Sequence, residues 1–322
     1  MDKDIMRALR FVRGAVSTKN LIPELKHFAI RNGHVRGFNG SLALSSPIDF
    51  DIDCAPRAVD MVNAINNCSD TVSLGITEKG HLRIKSGPYK VYLGCLNVED
   101  LPDHEPQGDI IEFDGAQMLE AIEALSPFMG NDASRPWTNG VFLQGQSAFV
   151  TNNVCFAQYW IGSKLPFDVN VPAQALKEMT RIGEPPTHAQ VSPHSITFHY
   201  KDRRWVRSQL LESEPWAKLP QILEIESAPV AVPAALFDGL AALKPFMETG
   251  NRVYFAEGEI RTANEKNVGA SYEVEGLHPE GIYNIKMLSL LGGVATHADF
   301  AQYPAPVPFF GGRLRGLIMG QR

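Results

Sequence analysis

Apolar positions along the chain fall into two rhythms, and the succession of rhythms occurs three times. Helical spacing runs through Ile5, Leu9, Val12 and Val16, through Met118, Leu119, Ile122 and Leu125, and through Leu236, Phe237, Leu240 and Leu243. The second and third stripes end alike, in Leu125-Ser126-Pro127-Phe128-Met129 and Leu243-Lys244-Pro245-Phe246-Met247, where a proline closes the helix. Strand-turn-strand patterns centre on Gly33, Gly145 and Gly258, with apolar residues on both sides and a glycine free to take the positive φ of a tight hairpin. An asparagine follows each turn six or seven residues later, at Asn39, Asn152 and Asn264. A second, shorter helix is predicted over 57–66, 173–182 and 286–291, with Pro56 and Pro172 just ahead of two of them. Strand-rich segments then span 72–96, 189–211 and 300–319.

The repeat is about 112 residues long, too long for a solenoid turn and right for a domain. It predicts three similar domains, 1–109, 110–226 and 227–322, joined by the proline-containing stretches 101–107 and 214–229. Each holds two helices packed on antiparallel sheet, an α+β arrangement.

Charge sharpens this picture. The 322 residues carry a formal net charge of −6, whereas a protein gripping nucleic acid over its whole surface would be basic. Positive charge is instead gathered on helices. Lys3, Arg7, Arg10 and Arg13 form a stripe opposite the apolar face of the first helix. Lys19 follows in the next loop, Lys177 and Arg181 sit one turn apart in the second repeat, and Lys244 and Lys286 mark the third. Glu120 and Glu123 interrupt the series. One such stripe is an ordinary solvated helix face; its recurrence points to a surface that holds phosphates by charge without reading bases. No zinc-finger spacing and no single-strand stacking platform is present.

Signatures of catalysis are missing. There is no GxxxxGK[ST], GxGxxG, HExxH or GxSxG, so no cofactor and no enzymatic activity is expected. Asp49, Asp51 and Asp53 leave one alternative open, a metal-dependent hydrolase of nucleic acid. Their alternation with Phe50 and Ile52 favours three carboxylates on the solvent face of one strand. Cys54, Cys68, Cys95 and Cys155 form no CxxC pair and read as reduced thiols. Trp137, Trp160, Trp205 and Trp216 read as core or seam packing. With no apolar run long enough for a membrane span and no signal-peptide layout at the start, a cytoplasmic protein is expected.

Several segments carry a resemblance. Asp132-Ala133-Ser134-Arg135-Pro136-Trp137-Thr138-Asn139-Gly140-Val141 sets an arginine ahead of an Asn-Gly and a strand. With Val150-Thr151-Asn152-Asn153, Gln209-Leu210-Leu211-Glu212, the ending Leu317-Ile318-Met319-Gly320-Gln321-Arg322, the stretch 14–23 and Lys85-Ser86-Gly87, the whole chain resembles the bacterial β sliding clamps, processivity subunits of replicative DNA polymerases, in a compact form such as phages encode. The resemblance implies the DNA clamp fold and a head-to-tail homodimer closed into a ring, helices inside and sheets outside. It implies double-stranded DNA, a replicative DNA polymerase and an ATP-driven clamp loader as partners. Lys3, Arg7, Arg10, Arg13, Lys19, Lys177 and Arg181 would then hold DNA. Thr151, Phe156, Ile222, Leu317 and Met319 match the family's pocket for partner peptides, while Asn153, Val154 and Cys155 depart from its usual Gly-His-Arg. Val91 and Leu93 would meet Phe246 and Met247 across the subunit boundary, unless Val91 and Leu93 are simply core. A clamp-fold scaffold without a DNA role remains the reading that the negative net charge favours.

Overall fold

The computed structural model describes residues 3–17, 19–247 and 250–322, and of Lys3 it describes the backbone only. Six helices are described: α1 (Lys3–Val12), α2 (Ala58–Asn66), α3 (Gly115–Leu125), α4 (Ala173–Ile182), α5 (Ala234–Leu243) and α6 (Ile285–Ser289). They match the predicted series, with single 3-10 turns continuing α3 through Pro127 and α5 through Pro245. Val16 falls outside α1: the helix tightens into a 3-10 turn at Arg13–Ala15, and Val16 is already extended. The chain divides into two compact units, Met1–Ala116 with Gln174–Leu210, and Gln117–Ala173 with Leu211–Arg322.

The first unit is built on a seven-stranded antiparallel sheet. Its order is Ala29–Arg31, His34–Phe38, Leu42–Pro47, Trp205–Gln209, Ser195–His199, His188–Val191 and Asp109–Glu112. The Gly33 hairpin opens it, with Gly33 at φ 67°. α1 packs on His34–Phe38 and Leu42–Pro47 and touches α2. A three-stranded sheet, Ser73–Ile76, Leu82–Ser86 and Tyr89–Leu93, and a two-stranded ribbon, Ala55–Pro56 with Cys95–Leu96, complete the unit.

The second unit holds an eight-stranded antiparallel sheet. Its order is Val169–Pro172, Gly140–Gln144, Ser147–Thr151, Cys155–Trp160, Leu314–Ile318, Val307–Gly311, His297–Ala298 and Val230–Ala231. A four-stranded sheet follows, ordered Ser271–Glu273, Glu259–Arg261, Arg252–Ala256 and Gly281–Asn284, with α5 packed on its first two strands and α6 against its last. The turns at Gly145 and Gly258 have φ 60° and 74°.

Each large sheet takes strands from two successive repeats, and it does so in the same way. Leu42–Ser45 pairs antiparallel with Trp205–Ser208. Cys155–Tyr159 pairs antiparallel with Leu314–Ile318. In both joints the strand after a repeat's hairpin meets the last strand of the next repeat. The recurring asparagines serve those strands twice. Asn39 Oδ1 accepts from the backbone N–H of Leu42 at 3.0 Å, and Asn152 Oδ1 accepts from that of Cys155 at 2.7 Å, so each amide closes the turn into the strand. Asn264 breaks the series: the third repeat has a longer loop there, and Thr262 Oγ1 accepts from the Ala270 N–H instead.

The Asp49–Asp53 segment is not a strand. Its residues lie in a loop between Pro47 and Ala55 in which the Ile48 N–H reaches the Gly33 carbonyl and the Phe50 N–H turns back to Ile48. The three aspartates are exposed. Among the described residues no three His, Cys, Asp or Glu side chains are grouped to hold a metal ion.

Candidate functional site

Two surfaces gather the residues singled out in the sequence. The first lies in the first unit, on α1, α4 and the loop between them and the sheet. α1 is buried on most of its circumference. The described exposed positions of α1 and the first residue of the 3-10 turn after it are Asp4, Arg7, Arg10 and Arg13, one stripe with a period of three residues, carrying three cations against one acid. Ile5, Met6, Leu9 and Val12 are buried beneath it. On α4, Leu176 and Met179 point inward while Lys177 and Arg181 are exposed.

The cations are not equivalent. Arg7 lies 3.8 Å from Glu184 and 3.6 Å from Asp202. Glu184 also takes a bidentate pair of bonds from the buried Arg204 guanidinium, at 2.6 and 3.2 Å, which holds its carboxyl below the usual carboxylate range. Among the described residues Arg10 and Arg13 form no ion pair, and both side chains stand in solvent. Arg181 is engaged throughout: its Nε bonds to Glu178 at 2.6 Å, and its two terminal nitrogens donate to the carbonyls of Arg10 (3.0 Å) and Phe11 (2.7 Å). Those carbonyls are at the C-terminal end of α1, where the helix dipole and the unpaired C=O groups favour a cation. Arg181 thus ties α4 to α1 instead of reaching outward. Lys19 is exposed in a loop ordered by two bonds, Asn20 N–H to Ser17 Oγ and Ile22 N–H to Asn20 Oδ1. Lys3, beyond its backbone, lies outside the described residues. In the second unit Lys286 and Lys244 are exposed, but so are Glu120 and Glu123 of α3 and Asp238 of α5.

The second surface is an apolar floor in the second unit. Phe142, Phe149, Phe156, Trp216, Leu223 and Leu317 form one buried cluster, with Trp137 and Leu219 packed against it. Strand pairing sets Phe142 opposite Phe149, Thr151 opposite Phe156, and Phe156 opposite Leu317. Trp216 lies parallel to Phe142, with centroids 5.4 Å apart at 11°, and meets Trp137 edge-on at 5.4 Å. Of the predicted pocket residues, Phe156 and Leu317 belong to this floor. Ile222 and Met319 are exposed on the elements beside it, and the turn Pro220–Leu223 that carries Ile222 lies against Leu314–Ile318. Thr151 takes no part in an open rim: it is buried, its hydroxyl donates to the Cys155 carbonyl at 2.9 Å and accepts from the Asn153 N–H. Asn153 sits at φ 68°, a conformation asparagine tolerates better than most residues, and Arg135 donates to its side-chain oxygen at 2.8 Å. The sequence reading missed Phe142, Phe149, Leu219 and Leu223. The signal for the first two was present, because 142 and 149 are mirror positions about the Gly145-Gln146 turn and so must face each other. Trp137 and Trp216 pack as expected, and Trp205 is buried under the Arg36 guanidinium; Trp160 is exposed beneath Arg313.

The predicted seam residues lie on two sheets. Val91 and Leu93 are half-buried on the edge strand Tyr89–Leu93, opposite the buried Ile84 and Leu82 and on the side that meets α2. Both are partly open, on a strand that among the described residues pairs only with Leu82–Ser86. Phe246 is 64% exposed and Met247 half-buried after α5.

No family model matches the chain, and no curated protein matches it. Solved structures do. A DnaN sliding clamp (DNA polymerase III subunit beta) from Pseudomonas aeruginosa bound to griselimycin is 16% identical at TM-score 0.84, covering 99% of this chain and 97% of that one. A DNA polymerase sliding clamp from Bacillus subtilis is 16% identical at TM-score 0.83 with the same coverage, and a β sliding clamp from C. crescentus is 17% identical at 0.82. Over its whole length the chain has the sliding clamp fold, antiparallel sheets with packed helices, as its sequence predicts.

Proposed function

We propose that this chain is a sliding clamp subunit: three modules (1–109, 110–226 and 227–322) that close with a second copy, head to tail, into a ring around double-stranded DNA. The observation that carries the reading is the repeated sheet joint. Used twice within the chain, it leaves two strands without a partner of that kind. Among the described residues one is Tyr89–Leu93, the last strand of the first repeat's three-stranded sheet; the other is Ser271–Glu273, the strand after the third repeat's hairpin. An open strand edge is a ready template for another chain. The same joint made once more, between two copies, pairs the two edges and closes a cyclic assembly. Val91 and Leu93 on one side, and Phe246 and Met247 on the other, supply its apolar contacts.

Within such a ring Lys3, Arg7, Arg10, Arg13, Lys19 and Lys177 hold phosphates without reading sequence, and Arg181 supports α1. The buried aromatic floor with Ile222 and Met319 at its side takes a short peptide of a replicative polymerase through apolar anchors. The ring does no chemistry, and an ATP-driven loader opens it. Among the described residues no helix is long and apolar enough to cross a membrane, which accords with a cytoplasmic setting.

The test pairs two measurements on the full chain: native mass, and retention on DNA after loading. The reading expects twice the subunit mass of 35.5 kDa, with protein kept on closed circular DNA and lost when the circle is cut. A monomer, or equal loss from both forms of DNA, overturns it.

A further inference from the structure

We propose that Arg315 reads a carboxylate on the partner peptide, so that the aromatic floor selects segments with an acidic residue two positions from an apolar anchor. The proposal rests on the reading of that floor as a peptide site and adds a specificity to it. Side chains alternate along Leu314–Ile318, so Arg315 and Leu317 share a face. Leu317 belongs to the floor and pairs with Phe156; Arg315 pairs with Gln158, two residues further along the same neighbouring strand. Two residues of strand set Arg315 about 7 Å from Leu317.

Arg315 is half-buried and held in place. Its Nε donates to Gln158 Oε1 at 2.5 Å, and Gln158 Nε2 donates in turn to Ser147 Oγ at 2.6 Å, which fixes the way the amide faces. The row of cross-strand partners through Arg315 runs over Phe149, Gln158, Phe310 and His297 and holds no acid. Asp299, just past His297–Ala298, is buried and taken up by the Ala228 N–H at 2.9 Å and Gln302 Nε2 at 3.1 Å. Six arginines are buried or half-buried among the described residues. Arg31, Arg36, Arg204 and Arg261 meet carboxylates, and a terminal nitrogen of Arg207 reaches Gln107 at 3.4 Å. Of these six, Arg315 alone keeps both terminal nitrogens without a partner among the described residues.

A cation drawn partly out of water gains from a counter-charge that water no longer fully replaces. A guanidinium pinned through Nε leaves its end-on edge, two parallel N–H groups that match the two oxygens of a carboxylate. An extended peptide repeats its side chains on one face at the same two-residue step. An anchor against Phe156 and Leu317 therefore brings its second neighbour to Arg315. Arg313 does not compete for that group: it lies over the Trp160 ring and donates to Gln117 at 3.3 Å.

Isothermal titration calorimetry on the full chain compares two capped peptides, Ala-Glu-Ala-Leu-Phe-Ala-Glu-Ala and its twin with glutamine in place of both glutamates. The acids stand two residues before the leucine and two after the phenylalanine, so either direction of the bound peptide is covered. The wild type should bind the acidic peptide about ten-fold more tightly than the twin at low salt. Arg315→Gln should bring the two affinities together, Arg315→Lys should retain part of the difference and Arg313→Gln all of it, with thermal melting checking the fold of each variant. Equal affinities in the wild type, or a difference that persists in Arg315→Gln, overturn the carboxylate reading alone, because binding of the twin still shows the floor to be a peptide site. Binding of neither peptide overturns the floor reading and this proposal with it.

Discussion

Replacing Arg10 and Arg13 together by glutamine tests the proposed phosphate-holding surface most directly. Both side chains are exposed and, among the described residues, neither is tied up in an ion pair, so the change removes charge without breaking internal bonds. Each phosphate neutralised contributes about −0.9 to the slope of log K against log salt. Between 50 and 200 mM salt, one contact therefore costs roughly 3.5-fold in affinity. Two contacts on each of two copies make four, a slope shallower by about 3.6, and a wild-type affinity that drops on the order of 150-fold more than the variant's over that range. Fluorescence anisotropy on a labelled duplex at several salt concentrations measures the slope, and thermal melting checks that the fold is intact. Arg7→Gln is the internal comparison. Glu184 and Asp202 already stand at 3.8 and 3.6 Å from that guanidinium, so a phosphate must compete with them, and the slope should change by less than about 0.9 per copy. An unchanged slope for the double variant refutes the assignment of the α1 stripe to DNA.

Three further outcomes follow from the geometry. Arg181→Gln should lower stability by about 1–2 kcal/mol in thermal or urea unfolding, because two carbonyls of α1 lose charge-assisted bonds and Glu178 loses its partner; an unchanged melting temperature with a shallower salt slope would make it a DNA contact after all. Ile222→Ala with Met319→Ala should leave stability within about 0.5 kcal/mol, both residues being exposed, yet weaken a short peptide with leucine and phenylalanine anchors by at least about ten-fold, near 1.4 kcal/mol, in a competition assay; undiminished affinity removes them from the proposed site. Acidification should destabilise the first unit through the stacked pair His188 and His199, centroids 4.4 Å apart. Burial, and then the neighbouring His188, push His199 down to about 4, so the folded form resists the proton that the unfolded chain accepts near 6.5. Stability is full above about 6.5 and falls as pH drops toward 4, by about 1–2 kcal/mol after allowing for partial exposure; His199→Phe should flatten that part of the pH–stability curve, and a slope unchanged by the substitution would rule the pair out as its source.

What can be read from the sequence here is what is local. The helices α1, α3 and α5 follow from spacings of three and four, and the hairpins follow from glycines that the fold holds at positive φ. The error at Asp49–Asp53 has a local cause too: alternation predicts a strand, but the Ile48 N–H bonds to the Gly33 carbonyl and the Phe50 N–H turns back to Ile48, so the chain bends there instead of pairing along a neighbouring strand. The joints are not legible, because Cys155–Tyr159 and Leu314–Ile318 are far apart in sequence and nothing in either states its partner. The same distance hides Trp216 from Phe142. Arg181 shows another limit: two of its three partners are backbone carbonyls, which leave no mark in the sequence, so its tie to α1 cannot be read there.

The sign of the whole protein then takes on meaning. A net charge of −6, with Glu120, Glu123 and Asp238 on exposed helix faces, is poor design for a protein that must hold DNA by affinity alone. It suits one that holds by enclosure. In the proposed ring, few cations on α1, α4 and the Lys19 loop would give contacts weak enough to exchange between neighbouring phosphates, while acids elsewhere would keep the duplex from lodging on other surfaces. Enclosure and affinity separate under salt. Equilibrium binding to a short duplex should fall steeply from 50 to 200 mM, whereas residence on a closed circle, limited by opening of the seam between Tyr89–Leu93 and Ser271–Glu273, should hardly change. A clamp-fold scaffold without a DNA role would show neither effect. A protein held by surface charge alone would show the same salt dependence in both measurements, and that result would defeat the argument from enclosure while leaving the fold untouched.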